Sequence, residues 1–176
     1  DAARSPGPAR TEASCEKDHT EDNRREFRPE TDILGSHKLP PDTYYGIQTL
    51  RTMENCQLTG IPIYRFSFFI KAMATVKRAA AKANMELGLL DEKVGEAIVK
   101  ATYDVYYGLL DDHFPVDVIQ GGAGTSVNMN MNEVLSNRAQ VPLGHPKGSY
   151  DVVHTLNRVN LSQSTTDAVP TALRLA

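Results

Sequence analysis

PVDVIQGGAGTSVNMNMNE, residues 115–133, passes from an extended segment through a glycine loop into the start of a helix. Val116, Val118 and Ile119 are β-branched and flank a single acid, Asp117, which predicts extended backbone. Gly121, Gly122 and Gly124 follow. Glycine adopts backbone angles closed to other residues and lets a ligand or another segment come close. Thr125 and Ser126 come next, both residues suited to a helix N-cap, and Val127, Met131, Val134 and Leu135 then recur at helical spacing. A helix N-terminus carries free N–H groups and a partial positive charge, so the stretch predicts a site for a carboxylate or a phosphate. No Gly-Lys-Ser/Thr ending is present and the glycines are not spaced as G-x-G-x-x-G, which removes the two common phosphate loops. On local chemistry alone, a glycine turn closed by a threonine cap is the simpler reading.

The wording of the stretch changes that balance. GGAGTSVNMNMNEVLSN, residues 121–137, resembles the first signature block of the aspartase/fumarase superfamily. Ala123-Gly124-Thr125-Ser126 is similar to the aspartate ammonia-lyase branch, whereas fumarases usually show Ser-Gly-Thr-Gln there. Tyr44-Tyr45-Gly46-Ile47-Gln48-Thr49-Leu50-Arg51 resembles the same branch, and GHPKGSY at residues 144–150 is similar to its Gly-His-Gln-Lys-Gly loop. Read from the residues themselves, the tyrosine pair is packing and His145 an exposed loop residue.

Composition sets broad limits. The chain has 176 residues, 40% hydrophobic and 23% charged, ordinary values for one globular domain with a real core. A net charge of −3 gives no electrostatic case for binding nucleic acid or an anionic membrane. No apolar run approaches the length of a membrane span. Cys15 and Cys56 lack the spacing of a metal or redox pair, which predicts reduced thiols and a cytoplasmic protein.

Residues 1–26 are rich in Pro, Ser, Glu and Arg and predict a disordered extension. Two short runs on either side of Gly35-Ser36 predict a small β-hairpin, kept at an edge or surface by Pro29, Pro40 and Pro41. Phe66, Phe69, Ile70, Met73, Val76, Ala80 and Ala83 predict the buried face of one helix, with Lys71, Lys77, Arg78 and Lys82 mostly off it and Gly88 as its stop. Asp91 predicts the cap of a second helix, with Val94, Ala97, Ile98, Ala101 and Val105 inward and an end near Gly108. The expected fold class is mainly α.

HTLNRVNLSQSTTDAVPTALR, residues 154–174, is the second chemical block. Ser162, Gln163, Ser164, Thr165, Thr166 and Asp167 crowd polar groups ahead of a helix start placed at Pro170, which by itself is an elaborate N-cap. Beside the superfamily it resembles the second signature, with two departures. Thr166 stands where the family has Asn, and His154 is followed by Thr155, Leu156 and Asn157 where fumarases carry Pro-Asn-Asp in a secondary carboxylate site. The third signature, Gly-Ser-Ser-x-Met-Pro-x-Lys-x-Asn-Pro, is not in the chain.

The resemblance covers residues 27–176 and implies the N-terminal domain of the aspartase/fumarase fold over 27–166, with 167–176 opening the first helix of a central long-helix bundle that lies beyond the chain. It implies elimination of ammonia from L-aspartate to give fumarate, with no metal and no organic cofactor. Thr125, Ser164 and Thr165 are then the implied catalytic residues at the substrate β-carboxylate. Ser126, Thr166 and His154 are the implied substrate-binding residues beside them. The general base is implied to be a serine of the third signature, and the family builds each site from three subunits of a homotetramer. This chain alone is therefore expected to be inactive. A fumarase-like lyase, or a non-catalytic fragment that associates with a complementary chain, are the other readings.

Overall fold

The computed structural model describes residues 27–176; the extension expected over residues 1–26 lies outside them. Strand β1 (Arg28–Asp32) pairs antiparallel with β2 (Gly35–Leu39), Arg28 opposite Leu39 and Asp32 opposite Gly35. The turn is thus Ile33-Leu34, earlier than the expected Gly35-Ser36. An Asp32 carboxylate oxygen accepts the Leu34 N–H at 2.9 Å and fixes the turn there, and Gly35, at φ 120°, already belongs to β2. Thr31 and Ser36 share a cross-strand hydroxyl bond of 2.7 Å.

Helix α1 (Ile47–Asn55) is tied to the hairpin by Arg51, whose guanidinium donates to both Asp32 oxygens at 2.7 and 2.8 Å. Its N-terminus faces two carboxylates. Glu30 accepts the Ile47 N–H at 2.9 Å. Glu133 accepts those of Gly46, Gln48 and Thr49 at 2.9, 2.8 and 3.1 Å, and the Thr49 hydroxyl at 2.6 Å. These are the orphan donors of a first helical turn, met by charge of the sign its dipole favours. Burial pushes the Glu133 carboxyl up from its usual range, and its donors oppose that shift. Gly46 is required by this approach, since a Cβ there would lie 2.2 Å from the Tyr150 hydroxyl.

Helices α2 (Ser67–Glu86) and α3 (Glu92–Tyr106) form an antiparallel pair across Gly88. Asp91 caps α3 by accepting the Val94 N–H at 3.1 Å, and the expected inward residues of α3 are all buried. The face of α2 differs from expectation in its second half. Lys77, Ala81 and Asn84 are buried, not Ala80 and Ala83, and Phe66 is exposed ahead of the helix. Tyr44 and Tyr45 pack against the core, Tyr44 edge-on to His113 at 5.1 Å between ring centres.

Residues 116–119, expected to be extended, instead bend on both sides of a single bridge, Asp117 opposite Pro62, which is flanked by bonds from the Ile63 N–H to the Val116 carbonyl and from the Val118 N–H to the Ile61 carbonyl. Helix α4 (Thr125–Gln140) then runs through the centre, touching α1, α3 and α5 (Thr165–Leu175). Val127, Met131, Val134, Leu135 and Ala139 are buried along it. So are Asn128, Asn130, Asn132, Glu133, Ser136, Asn137 and Gln140, an unusually polar central helix. Among the described residues no helix is long and apolar enough to cross a membrane.

Candidate functional site

The glycine loop is shaped by consecutive left-handed residues: Gly122 at φ 73°, Ala123 at φ 52° and Gly124 at φ 85°. Gly124, not Thr125, occupies the N-cap of α4, and no side chain of the cap residue closes it. Thr125 is the first helical residue, and its hydroxyl donates back to the Gly122 carbonyl at 2.6 Å. The capping oxygen comes instead from Gln120, which accepts the Val127 N–H at 2.8 Å. The expected Thr-Ser cap is corrected by this geometry: glycine at a left-handed position ends the loop, and both hydroxyls fall inside the first helical turn.

Gly124 also sets where the loop sits. A Cβ at that position would lie 2.7 Å from the Val169 side chain, so the loop backbone packs directly on α5. The start of α5 is five residues earlier than the expected Pro170. Ser164 is its N-cap, accepting the Thr166 N–H at 3.2 Å and sharing a 2.8 Å bond with the Thr166 hydroxyl. Pro170 lies inside the helix, where it has no N–H to offer the Thr166 carbonyl. The N-termini of α4 and α5 are therefore brought together. Thr125, Ser164 and Thr166 are exposed there, and Ser126 and Thr165 are half-buried.

His154 is placed differently. Its Nδ1 accepts the N–H groups of Leu156 and Asn157 at 3.1 and 3.2 Å and caps the π-helical turn Thr155–Val159. Only Nε2 of that ring is left for a ligand.

Beneath the hydroxyls lies a buried network that the sequence reading missed. Lys77, fully buried on α2, donates to Asn160 Oδ1 at 2.8 Å. The same oxygen accepts from Asn128 Nδ2 at 3.0 Å and Asn132 Nδ2 at 3.2 Å. Asn128 Nδ2 also reaches Thr165 Oγ1 at 3.3 Å, and Asn160 Nδ2 donates to the Gln163 carbonyl at 2.9 Å. One signal for it was present: Asn128 and Asn132 are four residues apart and so share a helix face with the apolar set. Lys77 gave none, because lysine at such a position ordinarily extends to water.

Burial pulls the Lys77 ammonium down to about 7. The unfolded chain, with an ordinary lysine value of about 10.4, then binds more protons than the folded one between these two limits. The cost of the buried charge is present below pH about 7, and stability recovers as pH rises through the window, by at most about 1.4 kcal/mol per pH unit. We expect Lys77→Met to flatten this slope. Urea unfolding at pH 7 and 9.5 checks it, and equal slopes in both proteins would mean that Asn160 holds the ammonium at its normal pKa.

Comparison with known proteins places this geometry. Residues 35–176 match the family model described as lyase. An aspartate ammonia-lyase from Bacillus sp is 51% identical over 151 residues, covering 86% of this chain and 32% of the relative. A fumarate lyase:delta crystallin from Brucella melitensis superposes with a TM-score of 0.81 at 50% identity, covering 85% of this chain and 35% of that one. A class II fumarase from Schistosoma mansoni gives a TM-score of 0.76 at 38% identity, with 85% and 31% covered. The chain spans about a third of the length of the curated relatives it matches. With a predominantly helical fold, a leading two-stranded hairpin and both signature stretches at adjoining helix N-termini, the chain belongs to the lyase family of the aspartase/fumarase superfamily and corresponds to an N-terminal part of its fold.

Proposed function

We propose that this chain forms part of an aspartate ammonia-lyase, which eliminates ammonia from L-aspartate reversibly to give fumarate. The observation that carries the reading is the meeting of two hydroxyl-bearing helix N-termini, joined by Gly124 on Val169 and by Asn128 on Thr165. Identity near 50% to aspartate ammonia-lyases supports it. Removal of a proton from the substrate Cβ drives charge onto the adjacent carboxylate, which becomes doubly negative before the amine leaves. Fixed donors and helix dipoles aimed at that carboxylate stabilise the charge where it develops. Thr125, Ser164 and Thr165 take that role, Ser126 stands beside them, and His154 has Nε2 to offer a substrate. The base and the remaining subunits of a homotetramer complete the site, so residues 1–176 alone give no fumarate from L-aspartate.

The test is a chimera in which this chain replaces the matched segment of the Bacillus sp enzyme. Fumarate formation from L-aspartate supports the proposal; hydration of fumarate without deamination overturns it in favour of a fumarase-like lyase. Thr166 keeps that second reading open. Its hydroxyl is engaged with Ser164, and it has no amide to meet an amino group. A bond to a charged ammonium contributes about 1.5–3 kcal/mol, so its loss costs roughly one to two powers of ten in kcat/KM. We expect Thr166→Asn in the chimera to raise kcat/KM for L-aspartate by that factor and to leave inhibition by succinate nearly constant. Unchanged or lower aspartate turnover would make threonine a competent replacement.

A further inference from the structure

Both hydrogens of the Asn128 side-chain amide are committed, one to Asn160 Oδ1 and one to Thr165 Oγ1. Turning the amide over would set its oxygen against Asn160 Oδ1, acceptor to acceptor, so the orientation is fixed. Asn160 is itself fixed, its oxygen collecting Lys77, Asn128 and Asn132 and its nitrogen donating to the Gln163 carbonyl, within the segment that leads into α5. Asn128 and Asn132 are 2% and 0% exposed, and the Oδ1 of each has no partner among the described residues. Burial of so much unmatched amide is costly, and a site that needs a fixed donor direction gives a reason to bear it.

A hydroxyl that accepts from Asn128 keeps its own hydrogen to give, and among the described residues the Thr165 hydroxyl donates to no acceptor. We propose that Asn128, held by Asn160 and Lys77, is a positioning residue that aims the Thr165 hydroxyl outward as a hydrogen-bond donor to a substrate carboxylate. The inference rests on the reading of Thr165 as a carboxylate donor and adds the group that gives it direction. Preorganisation of this kind matters because a donor that must rotate during the reaction stabilises the developing charge less.

A double-mutant cycle in the chimera tests it. Thr165→Val, close in shape and without the hydroxyl, is expected to lower kcat/KM by roughly 10²–10³. Asn128→Ala is expected to lower it by roughly tenfold, the scale of one misdirected neutral hydrogen bond. Asn128→Asp should lower it further, since a carboxylate only accepts and would draw the Thr165 hydrogen inward. In the Thr165→Val background both Asn128 changes should cost less than about twofold, because the group they act through is gone. Full additivity with Thr165→Val overturns the proposal, since general loosening of the loop would persist without the hydroxyl. The Asn128→Ala arm stands by itself should the aspartate variant not fold. A chimera that hydrates fumarate instead of releasing ammonia contradicts the aspartate reading and leaves this cycle measurable, as both reactions load the same carboxylate. If neither reaction occurs, NMR of the intact 176-residue chain decides. The Asn128 side-chain amide should exchange slowly and shift on Thr165→Val; exchange at solvent rate, or no shift, overturns the assignment.

Discussion

Replacing Thr125 by alanine in the chimera is expected to lower kcat by roughly 10²–10³, the usual loss for one oxyanion donor. Under the proposed function the residue has two duties. Its hydroxyl donates to the Gly122 carbonyl at 2.6 Å and holds the glycine loop against the first turn of α4. When a carboxylate enters between α4 and α5, the charged acceptor outbids a neutral carbonyl, since bonds to ionised groups are about twice as strong. Thr125→Ser keeps a hydroxyl at this position and should retain most of the activity. Steady-state kinetics separates the two duties. A loss confined to KM would mean that Thr125 contributes to ground-state binding alone, and no loss at all would leave it a loop staple.

Glu133→Ala is expected to be the most damaging single change to stability. The side chain is 1% exposed and accepts three backbone N–H groups and one hydroxyl at the start of α1. Each buried donor left unpaired costs about 1–3 kcal/mol. These costs do not add fully, and the total is expected at about 3–5 kcal/mol. Against a domain stability of about 5–15 kcal/mol that is a large share, and it corresponds to a fall in Tm of about 6–20 °C. Glu133→Gln keeps the shape and part of the acceptor capacity, so its loss should be smaller. Thermal and urea unfolding of both variants checks the ordering. A loss under about 1 kcal/mol for Glu133→Ala would show that α1 is capped adequately by Glu30 and the backbone.

How much of this was legible in the sequence depends on where polar groups sit. Helix α3 was read correctly down to its cap, because its apolar residues and its surface charges separate cleanly around the axis. Helix α2 was misread where Lys77 takes a core position, since burial of an ammonium is set by a partner 83 residues away, Asn160, that no local pattern reveals. Helix α4 carried the right apolar spacing, yet its buried asparagines are explained only by the segments that close over them. The hydroxyls of both signatures were legible as helix-start chemistry. Their exact register was not: a left-handed Gly124 displaced Thr125 from the cap, and Ser164 began α5 ahead of Pro170. Resemblance supplied the chemistry that those caps alone leave open, and the contact of Gly124 with Val169 supplied the juxtaposition.

Under the proposed function the two helix N-termini hold one carboxylate between them. The most direct measurement is a crystal structure of the chimera with succinate bound, a dicarboxylate that lacks the amine and does not react. One carboxylate is expected within about 2.7–3.1 Å of the hydroxyl oxygens of Thr125, Ser164 and Thr165, with the Thr125 hydroxyl released from the Gly122 carbonyl. A succinate bound elsewhere, with Thr125 still on Gly122 and Ser164 still on Thr166, would contradict it.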